Sequence, residues 1–357
     1  MLWYDVLEIY AVLHNFSWKE GGCMRVNKLV AVVDSHTCGE PTRIVIGGAP
    51  VFKGRTMSER WKDFCENHND FRRFVMTEPR GHADMFGAIM VPPINPGADT
   101  GVIFCDSGGS VSMCGHGSIG LASAMVNLGM VDIVEPVTEI TLDTSAGLVT
   151  LRVDVKDGEA VGATLKNVPA FVFKRDAEIY LPSLNRTVKI DICFGGSFFA
   201  IVDAGQFGFS LVPSETAAIT RLGIEIMAEA NRQHKVQHPL IKENNKILLT
   251  EFGLHKPGQM ARNCVIFGAC NVDRSPCGTG TCAKMALLAA RGELKPGEIF
   301  YHQSIIDTVF EGRYEPGLKV GEFDAIQPYI KGSANITGFN WLIRQEGDPL
   351  LPGFLLN

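Results

Sequence analysis

The sequence predicts an α/β (α+β) protein built from two related halves. Three observations carry that prediction. The chain has 357 residues, more than the roughly 100–200 typical of one domain. Short β-branched and apolar runs, bounded by Gly, Pro, Asn and Asp, recur along its whole length. Finally, Cys114-Gly-His-Gly-Ser is echoed by Cys277-Gly-Thr-Gly-Thr, 163 residues further on (277 − 114). Each copy follows a strand-rich run and precedes an apolar helix. A repeat distance near half the chain indicates two homologous halves, not a solenoid of short units.

In chain order, Leu29–Val33 is an apolar strand ending at Asp34-Ser-His-Thr, and Thr42–Ile46 continues with β-branched residues to the Gly47-Gly48 turn. Met57–Phe74 has a charged helical pattern with Trp61, Phe64, Cys65 and Phe71 on its inner face. Strands are predicted at Phe86–Val91 and Gly101–Cys105. Cys114-Gly-His-Gly then opens the apolar helix Ser118–Leu128. Thr138–Leu142 and Leu148–Val155 read as strands, Asp157-Gly158 as a turn, and Val161–Leu165 and Ala170–Phe173 continue the β pattern. In the second half Val188–Cys193, Phe198–Val202 and Ile247–Thr250 are predicted strands, with a helix over Glu215–Ala230. Cys264–Phe267 is a strand, Cys277-Gly-Thr-Gly-Thr opens the helix Cys282–Arg291, and Ser304–Phe310 and Leu318–Gly321 read as further strands. Each half thus sets several short strands around one Gly-led, Ala-rich helix.

Composition narrows the function classes. A chain this long buries roughly three quarters of its unfolded surface and needs no disulfide or metal scaffold to fold. The net charge of −6 argues against nucleic acid or an anionic membrane surface as partner, because phosphate binding needs clustered positive charge. No run of 18 or more apolar residues is present, so no membrane span is expected. The ten cysteines are spread along the chain without a compact framework, which points to free thiols in a reducing, cytoplasmic setting. Residues 1–24 read as an N-terminal extension, because Met24-Arg-Val-Asn opens the first clear strand pattern. A misassigned start and a short helix packed on the domain both remain open readings of it. The extension carries no basic n-region and no small-residue cleavage site, which argues against a signal peptide.

The two cysteine loops carry the chemistry. A cysteine just before a helix meets unpaired backbone N–H groups and the positive end of the helix dipole, which favour thiolate. The neighbouring glycines let an anion approach those amides. Two such loops from opposed domains would put a thiol on each side of one bound carboxylate. That arrangement suits racemisation at the α-carbon of an amino acid, one thiolate removing the proton and the opposite thiol returning one to the other face. Cys23, Cys38, Cys65, Cys105, Cys193, Cys264 and Cys270 are expected to be buried, inert thiols, and Cys282 a core residue. No zinc spacing, His-Glu-x-x-His or Walker pattern is present. Gly115–Gly120 and Gly278–Ala283 formally fit the dinucleotide pattern, but neither opens the first strand–helix turn of a parallel βαβ unit. Lys284, the one lysine considered for a Schiff base, reads as a solvated helix residue. No cofactor and no metal are expected.

Six segments together resemble the proline racemase family. They are Asp34-Ser-His-Thr-Cys-Gly-Glu-Pro-Thr-Arg, Glu78-Pro-Arg-Gly-His-Ala-Asp-Met-Phe-Gly, Met113-Cys-Gly-His-Gly-Ser-Ile-Gly, Phe194-Gly-Gly-Ser-Phe-Phe-Ala, Asp273-Arg-Ser-Pro-Cys-Gly-Thr-Gly-Thr and Gly332-Ser-Ala-Asn-Ile-Thr-Gly. The resemblance spans residue 25 to the C-terminus. It implies a cofactor-independent, two-base enzyme with the architecture of diaminopimelate epimerase: two pseudo-symmetric domains, each a curved, mostly antiparallel sheet around a central helix, with the site in the cleft between them. The domains are then expected at 25–160 with 338–357, and at 161–337. It further implies that Cys114 and Cys277 are the acid/base pair, that Gly115, His116 and Gly117 form the first substrate loop, and that Gly278, Thr279 and Gly280 form the second. His116 and Asp273 would hold the substrate carboxylate and imino group. Phe86, Phe104 and Phe267 would wall the pyrrolidine ring, favouring proline over 4-hydroxyproline, since an apolar wall cannot pair a hydroxyl. Cys277 argues against the trans-3-hydroxyproline dehydratases, which carry Thr there. A 4-hydroxyproline 2-epimerase, a non-catalytic imino-acid-binding protein and a thiol redox sensor are the alternatives, and a homodimer is the default assembly.

Overall fold

The computed structural model describes residues 26–356, except 112, 243, 256–259 and 269. The extension proposed for residues 1–24, and Cys23 with it, lies outside the described residues. The first half runs β1 (Val26–Thr37), β2 (Glu40–Gly47), α1 (Met57–Asn67), α2 (Asn69–Met76), β3 (Phe86–Val91), β4 (Thr100–Asp106), β5 (Ser110–Val111), α3 (Gly115–Asn127), β6 (Val137–Thr144), β7 (Gly147–Lys156) and β8 (Glu159–Lys166). The second runs β9 (Ala170–Leu181), β10 (Arg186–Phe194), β11 (Phe198–Asp203), α4 (Thr216–Gln233), β12 (Ile247–Leu254), β13 (Ala261–Phe267), β14 (Asn271–Val272), α5 (Gly278–Arg291), β15 (Phe300–Gln303), β16 (Val309–Val320) and β17 (Phe323–Gly332). Strand β18 (Ala334–Gln345) follows.

Strand pairing makes the internal symmetry explicit. One set is ordered β18–β1–β2–β3–β4–β6–β7–β8, with parallel pairs only at β2–β3 and β4–β6. The other is ordered β9–β10–β11–β12–β13–β15–β16–β17, with parallel pairs only at β11–β12 and β13–β15, the equivalent places. β17 also pairs with β9, closing the second set on itself, and with β8, joining the two sets. β17 continues into β18 through Ser333 alone, so one long strand path serves both halves. The fold is therefore mixed α/β, with two pseudo-symmetric, mostly antiparallel sheets.

Each curved sheet encloses one helix. Every residue of α3 from Gly115 to Val126 is buried, and α5 is buried from Gly280 to Leu288. Such helices show no polar face, because strands surround them on all sides. Ile119, Leu121, Met125 and Val126 of α3 pack with Ile140, Leu151, Val153 and Leu165. Met285, Ala286 and Leu288 of α5 pack with Phe310, Tyr314 and Ile330. Helices α1 and α2 cover the outer face of the first sheet, and α4 that of the second, each through an ordinary amphipathic face.

Several expectations are corrected. The helical pattern over 57–74 breaks at His68 into α1 and α2, and Cys65 is exposed instead of facing inward. Cys270 is likewise exposed. Ser304–Phe310 is mostly a turn, with Asp307 at φ 68° and β16 starting only at Val309. Leu318 lies in that same strand, whose register slips across Pro316-Gly317; this dipeptide reads as a strand end but makes a bulge. β17 and β18 were not expected, since Pro328 and Gly338 interrupt their patterns. Lys284 is buried in α5, not solvated.

Candidate active site

The site is built on the first turns of α3 and α5. Cys114 is the N-cap of α3, with extended backbone at φ −136°. Its Sγ accepts the Gly117 N–H at 3.4 Å, as a serine would at this position. The Ser118 N–H closes the first turn on Cys114 O at 2.9 Å. His116 Nδ1 lies 3.4 Å from Cys114 Sγ. The hydroxyl of Thr37, at the end of β1, donates to His116 O at 2.8 Å and fixes the loop to the sheet.

The second loop has the same hydrogen-bonded turn, with Thr281 N–H on Cys277 O at 2.8 Å, but a different cap. Cys277 sits at φ 61° and ψ 117°, a conformation costing about 1–3 kcal/mol that is characteristic of functional sites. A lattice of short bonds over-determines it. Asp273 Oδ1 accepts from Ser275 N and Oγ at 2.8 and 2.7 Å, and Ser275 Oγ accepts the Cys277 N–H at 3.1 Å. Asn263 Nδ2 donates to Pro276 O at 2.7 Å. Thr279 Oγ1 lies 3.7 Å from Cys277 Sγ. The Phe194-Gly-Gly segment packs against this turn so tightly that a Cβ on Gly195 would fall 2.2 Å from Thr279 O. Only glycine fits there.

The two helix starts face each other. A Cβ on Gly115 would lie 3.8 Å from Gly278 Cα, and one on Gly278 would lie 3.7 Å from Gly115 Cα. The first turns of the two helices therefore abut where the halves meet. Beside them Phe86 of β3 and Phe267 of β13 meet with ring centroids 5.7 Å apart, and the rings of Phe86 and His116 stand at 88° to each other, 4.5 Å apart. Phe104 is fully buried behind the first loop, against Gly117, and supports it from the core. Arg274 closes the rim through its ion pair to Asp84 at 2.7 Å, and Asn271 Nδ2 donates to Ala83 O at 3.1 Å.

Electrostatics differ from the expectation that a helix start lowers the thiol pKa. Burial pushes both thiols up. For Cys114 the charges of Asp273 and Glu40 add to it, against the Gly117 amide; for Cys277 Asp273 adds to it, against the Gly280 amide and Thr279 hydroxyl. Burial is the leading cause at both cysteines, which are 8% and 6% exposed. Burial also lowers His116 to about 3, leaving a neutral imidazole, and raises Asp273 against its bonds from Ser275. Among the described residues no group of three or more His, Cys, Asp or Glu is placed to hold a metal ion.

Sequence reasoning quoted Glu40, Ser275, Thr37 and Asn263 or passed over them without giving them roles. Nor did it find Glu251, buried beside Gly280, whose Oε2 would lie 2.7 Å from a Cβ there. His302, whose Nε2 is 3.9 Å from Glu251 Oε1, was missed too. An acidic residue inside the apolar run Ile247–Leu254 was the available signal.

Comparison with known proteins agrees with this architecture. The sequence profile of the proline racemase family matches residues 32–355. A proline racemase of Acetoanaerobium sticklandii is 47% identical over 333 residues, covering 93% of this chain and 99% of that one. A 4-hydroxyproline 2-epimerase of Streptosporangium roseum is 40% identical over 336 residues, covering 93% and 100%. Among solved structures, a hydroxyproline epimerase from Agrobacterium vitis with bound trans-4-hydroxy-L-proline superposes with a TM-score of 0.85 at 31% identity, covering 94% of this chain and 96% of that one. With two thiol-led helix starts at the junction of two pseudo-symmetric sheets and a family profile spanning nearly the whole chain, this protein belongs to the proline racemase family.

Proposed function

We propose that the protein interconverts L- and D-proline by two-base catalysis without a cofactor, with Cys114 and Cys277 as the acid/base pair. The carrying observation is the abutment of two cysteine-led helix starts from opposite halves, Gly115 against Gly278. The substrate carboxylate binds the amides of Gly115–Gly117 and Gly278–Gly280. Developing negative charge at the carboxylate then meets donors already in place. His116, being neutral, donates or accepts a hydrogen bond without adding charge. Asp273 holds the cationic imino nitrogen. A raised thiol pKa makes the thiolate a stronger base but a scarcer one, so ionisation has to be favoured by the bound substrate. The bound imino cation supplies the positive charge that lets one thiol ionise in a site with buried carboxyls.

Proline is favoured over hydroxyproline by the aromatic contact of Phe86 and Phe267, which offers no partner to a ring hydroxyl. The match to hydroxyproline epimerases makes 4-hydroxyproline the second reading. Because both thiols are sealed, the halves part to admit substrate and close over it. The domain division proposed with this mechanism runs 25–160 with 338–357, and 161–337, its boundaries falling inside β8 and β18, which pair with the first sheet, and the active site lying between. A homodimer and a reducing, cytoplasmic location complete the proposal. The exposed Phe339 and Ile343 on β18, which among described strands pairs only with β1 along 335–345, support self-association.

The test is α-proton exchange in deuterated buffer, with optical rotation, for L-proline, D-proline and the hydroxyprolines. Fastest exchange with proline supports the first reading and fastest exchange with trans-4-hydroxyproline the second. Tight binding without exchange refutes both.

A further inference from the structure

Glu40 opens β2, immediately after the Cys38-Gly39 turn in the Asp34–Arg43 segment. It is 0% exposed. Its Oε2 accepts the backbone N–H of Arg274 at 2.7 Å, a bond from the first half to the residue between Asp273 and Ser275. Its Oε1 is buried and without a hydrogen-bond partner among the described residues. A fully buried carboxylate with an unpaired oxygen is costly unless a proton or a cation meets it. The charged and titratable groups facing it are Asp273 and Arg274 from the segment before α5, Asp84 from the loop before β3, and Cys114 at the start of α3. Of these, the Arg274 guanidinium is committed to Asp84 at 2.7 Å. Asp273, the other buried carboxyl, is 6% exposed. Burial and then the Asp273 charge hold Glu40 well above the usual carboxylate range, and burial raises Asp273 as well.

We propose that Glu40 is a positioning residue for the reaction: it clamps the Asp273–Cys277 segment to the first half through the Arg274 amide, and it keeps its own proton beside the buried Asp273, so that the two carboxyls hold one proton between them. Two carboxyls with one proton carry a single negative charge into the sealed site. That charge matches one cationic imino nitrogen, which leaves the thiolate and the substrate carboxylate, the latter on the loop amides, as the remaining charges of the closed complex. A second ionisation of the pair would put two negative charges beside Cys114 and oppose thiolate formation. Clamp and retained proton therefore act together: the halves close with the pair singly charged. This inference rests on the reading that Asp273 holds the imino nitrogen.

The experiment compares full-length Glu40→Gln and Glu40→Ala with the parent. Glutamine can still accept the Arg274 N–H but cannot ionise, whereas alanine loses both functions. Expected are a loss of about tenfold or more in kcat/KM for Glu40→Ala and recovery of most of it in Glu40→Gln. In Glu40→Gln the alkaline limb of the kcat/KM profile should move up by about one pH unit or more, since the second ionisation is gone. Infrared difference spectra of the ligand-free protein should lose the C=O stretch of one protonated carboxylic acid in Glu40→Gln. A band that disappears only in Glu251→Gln marks the other buried carboxyl and serves as the control. The inference is overturned by an alanine variant within twofold of the parent, by a glutamine variant no better than alanine, or by an unchanged alkaline limb and carboxylic band. Failure of the underlying catalytic reading looks different: the parent itself would exchange no α-proton, while the infrared result would still stand or fall alone.

Discussion

Cys114 and Cys277 occupy equivalent turns in unequal conformations, one extended and hydrogen-bonded to Gly117, the other at φ 61°. A two-base mechanism makes each thiol indispensable in both directions, so Cys114→Ser and Cys277→Ser should each cut proline racemisation by at least about 10²-fold, the usual range for a removed acid or base. Undiminished optical-rotation decay in either variant would refute the pair. The pH dependence follows from signs already given. His116 is lowered to about 3 and stays neutral across the working range, so it contributes no limb above that value. The thiols are raised, so the acid limb of kcat/KM should reflect thiol ionisation, with activity rising above neutrality. A limb near pH 6 that vanished in His116→Asn would contradict this. At this scale the sequence was legible where residue type and spacing define chemistry, as with the Cys-Gly-x-Gly echo. It misled on the thiol pKa, because the helix dipole is a local property whereas desolvation depends on what the distant half places over the sulfur.

Helices α3 and α5 were recognisable by composition, being Ala- and Gly-rich without a polar face, but their surroundings were not. Lys284 illustrates the difference: a lysine in a helix is ordinarily solvated, yet here α5 lies inside a closed sheet. It helps lower Glu251, which burial nevertheless raises to about 8. For an acid whose folded pKa is raised, stability is fully present below the unfolded value near 4.5 and declines as pH rises towards 8. Glu251→Gln should therefore flatten the fall in Tm between those limits, as thermal melts at pH 5.5 and 8.5 would show; an unchanged slope would place that dependence elsewhere. Gly195 gives an element-scale prediction of a different kind. Its replacement by Ala must displace the first turn of α5, since a Cβ would collide with Thr279 O. The expected cost is about 1–3 kcal/mol of stability, measured by denaturant titration. A fall in kcat/KM should accompany it, because the displaced turn carries Cys277 and the amides proposed to bind the carboxylate. β17 and β18 escaped sequence reading because Pro328 and Gly338 break their alternation, whereas in the structure pairing with β8, β9, β16 and β1 supplies what local propensity lacks.

At the scale of the whole molecule, polar contacts join the two halves around the site. Arg274 with Asp84, and Asn271 with Ala83 O, cross the rim beside the aromatic pair. Both partners of the ion pair are partly exposed, so its net worth is modest and salt-sensitive. Asp84→Asn should raise KM about two- to tenfold and reduce the salt dependence of kcat/KM, because assembly of the site is tied to closure. Identical salt profiles for parent and variant would rule out the rim pair as a closing contact. The matching strand orders of the two sheets, parallel pairs included, explain why one chain can bring two copies of the same turn face to face.

The sequence by itself determined that there are two halves, which two cysteines head the matching helices, and which glycines follow them in each first turn, since these depend on residue type and local spacing. Only the tertiary structure decided that Gly115 meets Gly278, that burial raises the pKa of both thiols, and that Glu40 reaches the backbone beside Asp273. The physical reason is common to all three. Desolvation and contact between residues hundreds of positions apart are set by how the sheets close, and no periodicity in the chain encodes that directly.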